Sequence, residues 1–308
     1  MNRSEALDMG QVALVVGGDS AEREISLRGG RAVAGALERL GVQYSVVDGP
    51  RRLLEQVAAG HFDRVFNLLH GRGGEDGALQ GALRLYGVPV TGSGVLGSAL
   101  TMDKLQTKRI WTAVGLPTPD WRLARAADDG DAIVADLGLP LFVKPAREGS
   151  SIGMTRVDRV EELAAAIERA LEHDERVLVE RLIDGPEFTA AILDGEVLPL
   201  IRLEPARSFY DYAAKYESGD TVYRCPCGLD EATERRLAAL CAQAFDVVGA
   251  AGWGRVDLML DAAGQAQLLE VNTTPGMTEQ SLVPKAASAA GMTFEELVWR
   301  ILKTSRTD

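Results

Sequence analysis

The sequence predicts an α/β protein that opens with a doubly wound parallel sheet and continues into mixed α+β segments, on three observations. Val12 to Val16 is a short all-apolar run, followed by Gly17-Gly18-Asp19-Ser20 and a helical stretch to Leu40. Strand, glycine turn and helix in that order form the opening unit of such a sheet. The alternation then recurs through Tyr44 to Val47, Leu53 to Ala58, Val65 to Leu69, a helix from Gly77 to Tyr86, and Val88 to Val90. Further on, hairpin signals take over at Asp194-Gly195 and Asp261-Ala-Ala-Gly264.

Composition narrows the function classes. The 308 residues are 46% apolar and 25% charged, an ordinary globular balance with room for two or three domains. A net charge of -12 argues against a broad nucleic-acid surface, which needs clustered Lys and Arg. No apolar run approaches the roughly 18 residues of a membrane span, and the first residues carry no apolar signal segment, so a cytoplasmic protein is expected. Cys225 and Cys227 are too close for an easy disulfide, and with a distant Cys241 they make no zinc pattern. Free thiols in a reducing compartment are the reading.

In the first unit neither Gly17-Gly18 nor Gly71-x-Gly73 completes the G-x-G-x-x-G fingerprint, and no Gly-Lys dipeptide occurs, which excludes a Walker A loop. Glu22 follows the first strand, where a carboxylate either pairs with a ligand's ammonium group or simply favours the helix N-terminus. His70-Gly-Arg-Gly-Gly-Glu-Asp-Gly77 places four glycines around His70, Glu75 and Asp76 at the carboxyl end of a strand. Open sheets put their ligands there.

Thr101-Met-Asp-Lys104 opens a helical stretch to Ala113, and Gly115 to Pro119 reads as a boundary loop. Leu141 to Lys144 and Met154 to Val157 are strands bracketing a glycine and serine loop with Ser150 and Ser151. The pair is either a flap over phosphates, with Lys144 as a point charge, or a flexible surface hairpin. Glu161 to Leu171 is an alanine-rich helix, and Val177 to Leu182 is a strand carrying Glu180 to a turn at Asp184-Gly-Pro-Glu187. Phe188 to Leu193 and Val197 to Ile201 make the next hairpin. Residues 204–224 lose clean periodicity but hold four aromatics between Phe209 and Tyr216, as a lid or binding loop does. Asp230 caps a helix packed through Leu237, Leu240, Ala244, Phe245 and Val248. Thr293-Phe-Glu-Glu296 is a capping box before a helix presenting Phe294, Leu297, Val298, Ile301 and Leu302.

The hairpin from Gly254 to Met277 carries the chemistry. Centring its turn near residue 263 sets Asp257 opposite Glu270, with Asn272 on the face of Glu270. Two facing carboxylates ask for a cation between them, and with an amide oxygen they suit Mg²⁺. Arg255 shares the Asp257 face and can stabilise an oxyanion. Only six lysines occur against 27 arginines, and Lys104, Lys144 and Lys215 all fall in stretches marked for other reasons. Lysines, metal ligands and a serine-glycine flap together describe a nucleotide triphosphate with Mg²⁺ held without a P-loop.

The runs His70 to Gly81, and Gly254 to Asp257 with Glu270 to Gly276, resemble the two signatures of the D-alanine:D-alanine ligases of the ATP-grasp superfamily. Gly17 to Glu24, Lys144 to Ser151 and Tyr210 to Tyr216 are similar to further motifs of that family, so the resemblance spans essentially the whole chain. It implies an N-terminal sheet domain (1–103) followed by a two-domain α+β ATP-grasp, central (104–187) and C-terminal (188–308). The last would carry the lid loop 204–224 and the Mg-binding hairpin. ATP as co-substrate would have Lys104, Lys144 and Lys215 on phosphates under Ser151, Glu180 and the Leu182 backbone at adenine, and Glu187 at the ribose. Asp257, Glu270 and Asn272 would hold two Mg²⁺ ions, or Mn²⁺ in their place. By the same resemblance Glu22 pairs with the first D-alanine's ammonium group, and Ser150 and Tyr216 link it to the lid. Arg255 and the Gly276 amide receive the oxyanion, and Ser281 and Leu282 bind the second carboxylate. His70 would lie near the second substrate. A homodimer is the family expectation. The rival readings are another ATP-grasp carboxylate-amine ligase, including a D-alanine:D-lactate type, and a non-catalytic nucleotide-binding regulator. Tyrosine at 216 goes with the dipeptide, since D-lactate-using relatives tend to carry phenylalanine. Tyr216→Phe is therefore expected to shift second-substrate choice toward D-lactate, read from product ratios in competition; an unchanged ratio rejects that role.

Overall fold

The computed structural model describes residues 3–124, 130–149, 152–204 and 221–305, whose strands sort into three sheets. β1 (Val12–Val16), β2 (Tyr44–Asp48) and β3 (Arg64–Asn67) form the first, parallel and in the order β2-β1-β3. All of β1 is buried, as a central strand covered on both faces must be. Ala13 and Val15 face a core with Leu53, Leu79 and Leu83. Leu14 and Val16 share the opposite core with Val33 and Leu37 of the helix Arg23–Leu40 and Leu297 and Ile301 of the helix Phe294–Lys303. The Arg39–Glu295 ion pair, 2.6 Å, crosses the same seam.

The expected strand at Val88 to Val90 is reduced to one bridge, Val65 to Val90. Pro89 interrupts it, having no amide hydrogen for a ladder. Leu53 to Ala58 belongs to the helix Pro50–Ala58, started by Pro50. The stretch opened at Thr101 is two helices, Val95–Met102 and Lys104–Ala113. Asp103 separates them: its extended backbone (φ −96°, ψ 99°) ends the first while its carboxylate accepts from the Leu105 and Gln106 amides of the second.

β4 (Trp121–Ala124), β5 (Leu141–Pro145), β6 (Thr155–Val157) and β7 (Val177–Arg181) form an antiparallel sheet in the order β4-β7-β5-β6. The helix Leu163–Leu171 covers it, with Ala166 and Ile167 against Leu141, Val143 and Val179. β4 is absent from the sequence reading, since four residues after the Gly115 to Pro119 loop are too few for an alternation to show.

The third sheet holds β8 (Glu187–Leu193), β9 (Glu196–Val197), β10 (Ile201–Glu204), β11 (Val222–Arg224), β12 (Trp253–Leu260) and β13 (Ala266–Asn272). Its order is β11-β10-β8-β12-β13, with β9 on β8. Asp194 (φ 51°) and Gly195 (φ 81°) both take the left-handed conformation that a tight β8–β9 turn needs. Val197 to Ile201 is split between β9 and β10 at Pro199 rather than forming one strand. The 204–224 stretch is also corrected at its ends, since Glu204 closes β10 and Val222–Arg224 pairs with it. Lys215 and Tyr216 of the lid, and Ser150 and Ser151 of the flap, lie outside the described residues.

Asp230 accepts from the Thr233 amide (3.0 Å) to start the helix Glu231–Asp246, and Thr293 and Glu296 form the expected capping box. A helix unread in the sequence, Leu282–Ala289, precedes it. The three cysteines are free thiols, and no described helix is long and apolar enough to cross a membrane. Gly97 sets the approach of Val95–Met102 to the turn at Gly249, because a Cβ there would overlap the Gly249 carbonyl oxygen. Gly97→Ala is expected to cost about 1–3 kcal/mol of stability by forcing that backbone contact apart, measured by chemical denaturation. An unchanged midpoint would show that the two segments yield freely.

Candidate active site

The site is built on the β12–β13 hairpin. Asp257 and Glu270 are direct cross-strand partners, as the turn position required, and a bulge follows between Asp257 and Leu258. Their repulsion is met by two cations of the chain. Asp257 Oδ1 accepts from Arg255 Nε (2.8 Å) and Thr189 Oγ1 (2.6 Å), and Oδ2 accepts from Arg255 Nη2 (2.7 Å). Glu270 Oε2 lies 3.0 Å from Lys104 Nζ, which also donates to the Glu148 carbonyl at 2.8 Å. Burial alone would lower the Lys104 ammonium group, but the charge and hydrogen bond of Glu270, with Glu180 and Glu22 behind it, carry it above its ordinary value.

A cavity of about 500 Å³ opens on one side of the hairpin, lined by Glu22, Arg255, Asn272, Gly276, Ser281 and Leu282 among others. The sheet explains why Glu22 is there. In the order β2-β1-β3 the chain turns one way after β1 and the other way before β3, so the crevice outside the carboxyl ends of these two strands is the switch point where ligands sit. Glu22 follows β1, while Gly71 and Glu75 follow β3. On the far wall Ser281 is the N-cap residue of the helix Leu282–Ala289, and its Oγ accepts from the Thr278 amide at 3.0 Å. The free amides of that helix start suit a carboxylate. A Cβ on Gly276 would crowd Ser281 Oγ, so glycine keeps this wall open.

A second cavity of about 370 Å³ lies between the second and third sheets. Phe142, Met154, Leu203, Met259 and Leu269 give it apolar walls, and Lys144, Glu180, Leu182, Glu187 and Asp257 supply its polar groups. Such walls with a few polar groups suit a flat heterocycle. Glu180 is buried and ion-pairs with Lys144 on one side and Lys108 (2.7 Å) on the other. Burial opposes its charge, but the two lysines together hold its carboxyl below the usual range. The two cavities share Lys104, Glu148, Gly149 and Glu270, so ligands in them meet over one lysine and two glutamates.

Asp257, Glu270 and Asn272 offer two carboxylates and an amide oxygen around that junction. No group of three or more His, Cys, Asp or Glu side chains among the described residues makes a closed cage for an ion. This hard, incomplete oxygen set fits Mg²⁺, which fills its other positions with water and phosphate oxygens.

Sequence reasoning placed His70 beside the second substrate; the structure buries it outside both cavity linings, hydrogen-bonded to the Thr274 backbone. Burial pushes its imidazole below the ordinary range, with Glu22 opposing and Arg255 assisting. The residue of that loop that reaches the cavity is Glu75, noted in the sequence but given no role. Its carboxylate accepts from the Gly71 amide (2.5 Å) and the Thr274 amide (3.2 Å). Burial, and then the charge of Glu22, pushes it up to about 8. Arg28 and Arg31 also line the first cavity and were missed, though Arg28 stands one turn beyond Ile25 on the same helix face. Glu148 was passed over inside the flap loop; Arg72, 2.8 Å away, ties it to the His70 loop.

Comparison with known proteins finds the same families in both halves of the chain. The model described as "D-ala D-ala ligase C-terminus" matches residues 110–303 and "D-ala D-ala ligase N-terminus" matches residues 49–93. A D-alanine–D-alanine ligase of Alkalilimnicola ehrlichii is 56% identical over 99% of this chain and 98% of its own. One of Methylococcus capsulatus is 55% identical over 98% and 97%. Among solved structures, a D-alanine–D-alanine ligase of Bacillus anthracis complexed with ATP superposes with a TM-score of 0.83 at 32% identity, covering 96% of both chains.

The raised Glu75 carboxyl gives stability a pH dependence with a definite sign. Its ordinary value is 4.5 and its folded value about 8, so between these the folded state holds a proton that the unfolded state has lost. This contribution is fully present below the lower value and lost as pH rises through the upper one. Glu75→Gln is expected to flatten that decline, read from denaturation midpoints at about pH 5.5 and about pH 8.5. An undiminished slope would show that Glu75 is ionised in the folded protein.

Proposed function

The chain belongs to the D-alanine–D-alanine ligase family, and on that premise we propose how its residues join two D-alanine molecules with the hydrolysis of ATP. As an ADP-forming ligase it supplies the dipeptide for peptidoglycan precursors. The observation that carries the assignment of roles is the junction of the two cavities at Lys104 and Glu270. A carboxylate in one can there reach the terminal phosphate of a nucleotide in the other.

Glu22 pairs with the ammonium group of the first D-alanine and points its carboxylate toward the junction. The nucleotide lies in the second cavity, its base between the apolar walls near Glu180 and Leu182, its ribose at Glu187, its phosphates at Lys104 and Lys144. A carboxylate oxygen forms a bond to the γ-phosphorus, the bond to the β–γ bridging oxygen breaks, and ADP leaves with that electron pair. The product is D-alanyl phosphate, whose carbonyl has a leaving group that a carboxylate lacks. The ammonium group of the second D-alanine gives one proton to solvent, and the amine attacks that carbon, its second proton going to the departing phosphate. Its carboxylate rests on Ser281 and the start of the helix Leu282–Ala289. Arg255 and the Gly276 amide receive the oxyanion, and inorganic phosphate departs as the C–O bond breaks.

Asp257, Glu270 and Asn272 would hold Mg²⁺ ions, two by the family pattern, which supply neutralisation of the charge developing on the phosphates. Arg255 and Lys104 also pair with those carboxylates. Ser150, Ser151, Lys215 and Tyr216 keep their flap and lid roles as part of this proposal. So does the division into units 1–103, 104–187 and 188–308, which is supported by one sheet lying in each. A homodimer and a cytoplasmic location rest on the family alone.

The test is phosphate release from ATP and Mg²⁺ with D-alanine, L-alanine or neither, with the product identified by mass. Release dependent on D-alanine, yielding the dipeptide, and reduced at least about a hundredfold by Glu270→Gln is expected. Dipeptide formation at a near-normal rate in the variant would reject the metal assignment, and release independent of D-alanine would reject the ligase roles.

A further inference from the structure

The helix Lys104–Ala113 places two lysines one turn apart on one face, and only the first has a role above. Lys108 is 0% exposed and lines neither cavity. Its ammonium group faces three oxygens: Glu180 Oε1 at 2.7 Å, Thr118 Oγ1 at 2.5 Å and the Pro119 carbonyl at 3.2 Å. Thr118 in turn donates to the Leu268 carbonyl of β13 at 2.8 Å, and Leu268 donates back to the Pro117 carbonyl at 2.9 Å. The lysine is thereby fixed between the second and third sheets, on the sealed side of Glu180.

Glu180 is 2% exposed, and its other oxygen is held by Lys144, which lines the nucleotide cavity. To serve phosphates, Lys144 must turn some of its three N–H donors away from Glu180. A buried carboxylate whose sole cation is drawn off is strongly disfavoured, which would hold Lys144 back. With Lys108 behind it, Glu180 loses one of two partners and stays balanced. The vacated Oε2 becomes an acceptor for an amino group on the base. Lys108 is the cation that meets Oε1, so it secures the sealed side of the carboxylate.

We propose that Lys108 is a positioning residue for nucleotide binding: it anchors Glu180 from the sealed side so that Lys144 is released to the phosphates and Glu180 to the base. This rests on the nucleotide reading of the second cavity. It gives the pair Lys104 and Lys108 a division of labour, one lysine toward the ligands and one away from them.

The experiment compares Lys108→Met, neutral and of similar length, with the wild-type chain in ADP binding by calorimetry and in steady-state kinetics. Weakening of ADP affinity and of the KM for ATP by about tenfold or more is expected, with kcat at saturating ATP and the KM for D-alanine within about twofold. In a Glu180→Gln background, where the anchored charge is gone, Lys108→Met should change ADP affinity by less than about twofold. That comparison also serves if the single variant fails to fold, since the double variant removes both buried charges together. A lower unfolding midpoint with ADP affinity intact, or an equal loss of affinity in both backgrounds, overturns the proposal and leaves Lys108 a structural brace. Wild-type protein that binds no ADP would overturn the nucleotide reading itself, and this inference with it.

Discussion

Two like charges placed opposite each other on a hairpin are the constraint around which the molecule is arranged. Asp257 and Glu270 repel across β12 and β13, and each draws a cation from a different part of the chain. Arg255 comes from the same strand two residues earlier, so Asp257 is balanced locally. Lys104 comes from the helix Lys104–Ala113, so docking of that helix brings a cation to Glu270. The need to neutralise one carboxylate therefore fixes the junction between the cavities, and the same two cations become available to anionic ligands.

The second buried carboxylate follows a similar logic at greater depth. Glu180 is more sealed than Glu270, and it takes two lysines to keep it charged. Removing charge from water is costly, and partners of opposite sign return that cost only when geometry is good. Chains that bury so many carboxylates at one place usually do so for binding rather than for stability. The rest of the fold follows the ordinary rules: covered parallel strands, capped helices and left-handed residues in tight turns.

How much was legible in the sequence depended on whether a signal was local. The register of Asp257 against Glu270 was readable because one turn and a period of two determine it. The caps at Asp230 and Thr293 were readable because a side chain and an amide three residues away suffice. The break at Asp103 was not: in Val95–Met102 the buried residues are Gly97, Ser98 and Thr101 while Leu96 is exposed, the reverse of an amphipathic pattern, and nothing nearby in sequence announces the contact of Gly97 with Gly249. Lys108 and Glu75 escaped for the same reason. Lys108 was given no role in the sequence, and it is the meeting of residues 118, 180 and 268 around it that shows one. Glu75 stood in plain view in a glycine loop, but the Thr274 amide that donates to its carboxylate lies far along the chain.

The core that joins β1 and the helix Arg23–Leu40 to the helix Phe294–Lys303 has a consequence for how the polypeptide is made. Val33, Ala36 and Leu37 are buried with Leu297, Val298 and Ile301, which lie far along the chain from them. Until the helix Phe294–Lys303 has been made, that face of the first sheet unit lacks part of its cover and presents apolar side chains to whatever is near. Contacts between such distant segments are slow to form and leave the waiting surface open to association. The need for chaperoning therefore falls on the earlier-made of the two segments.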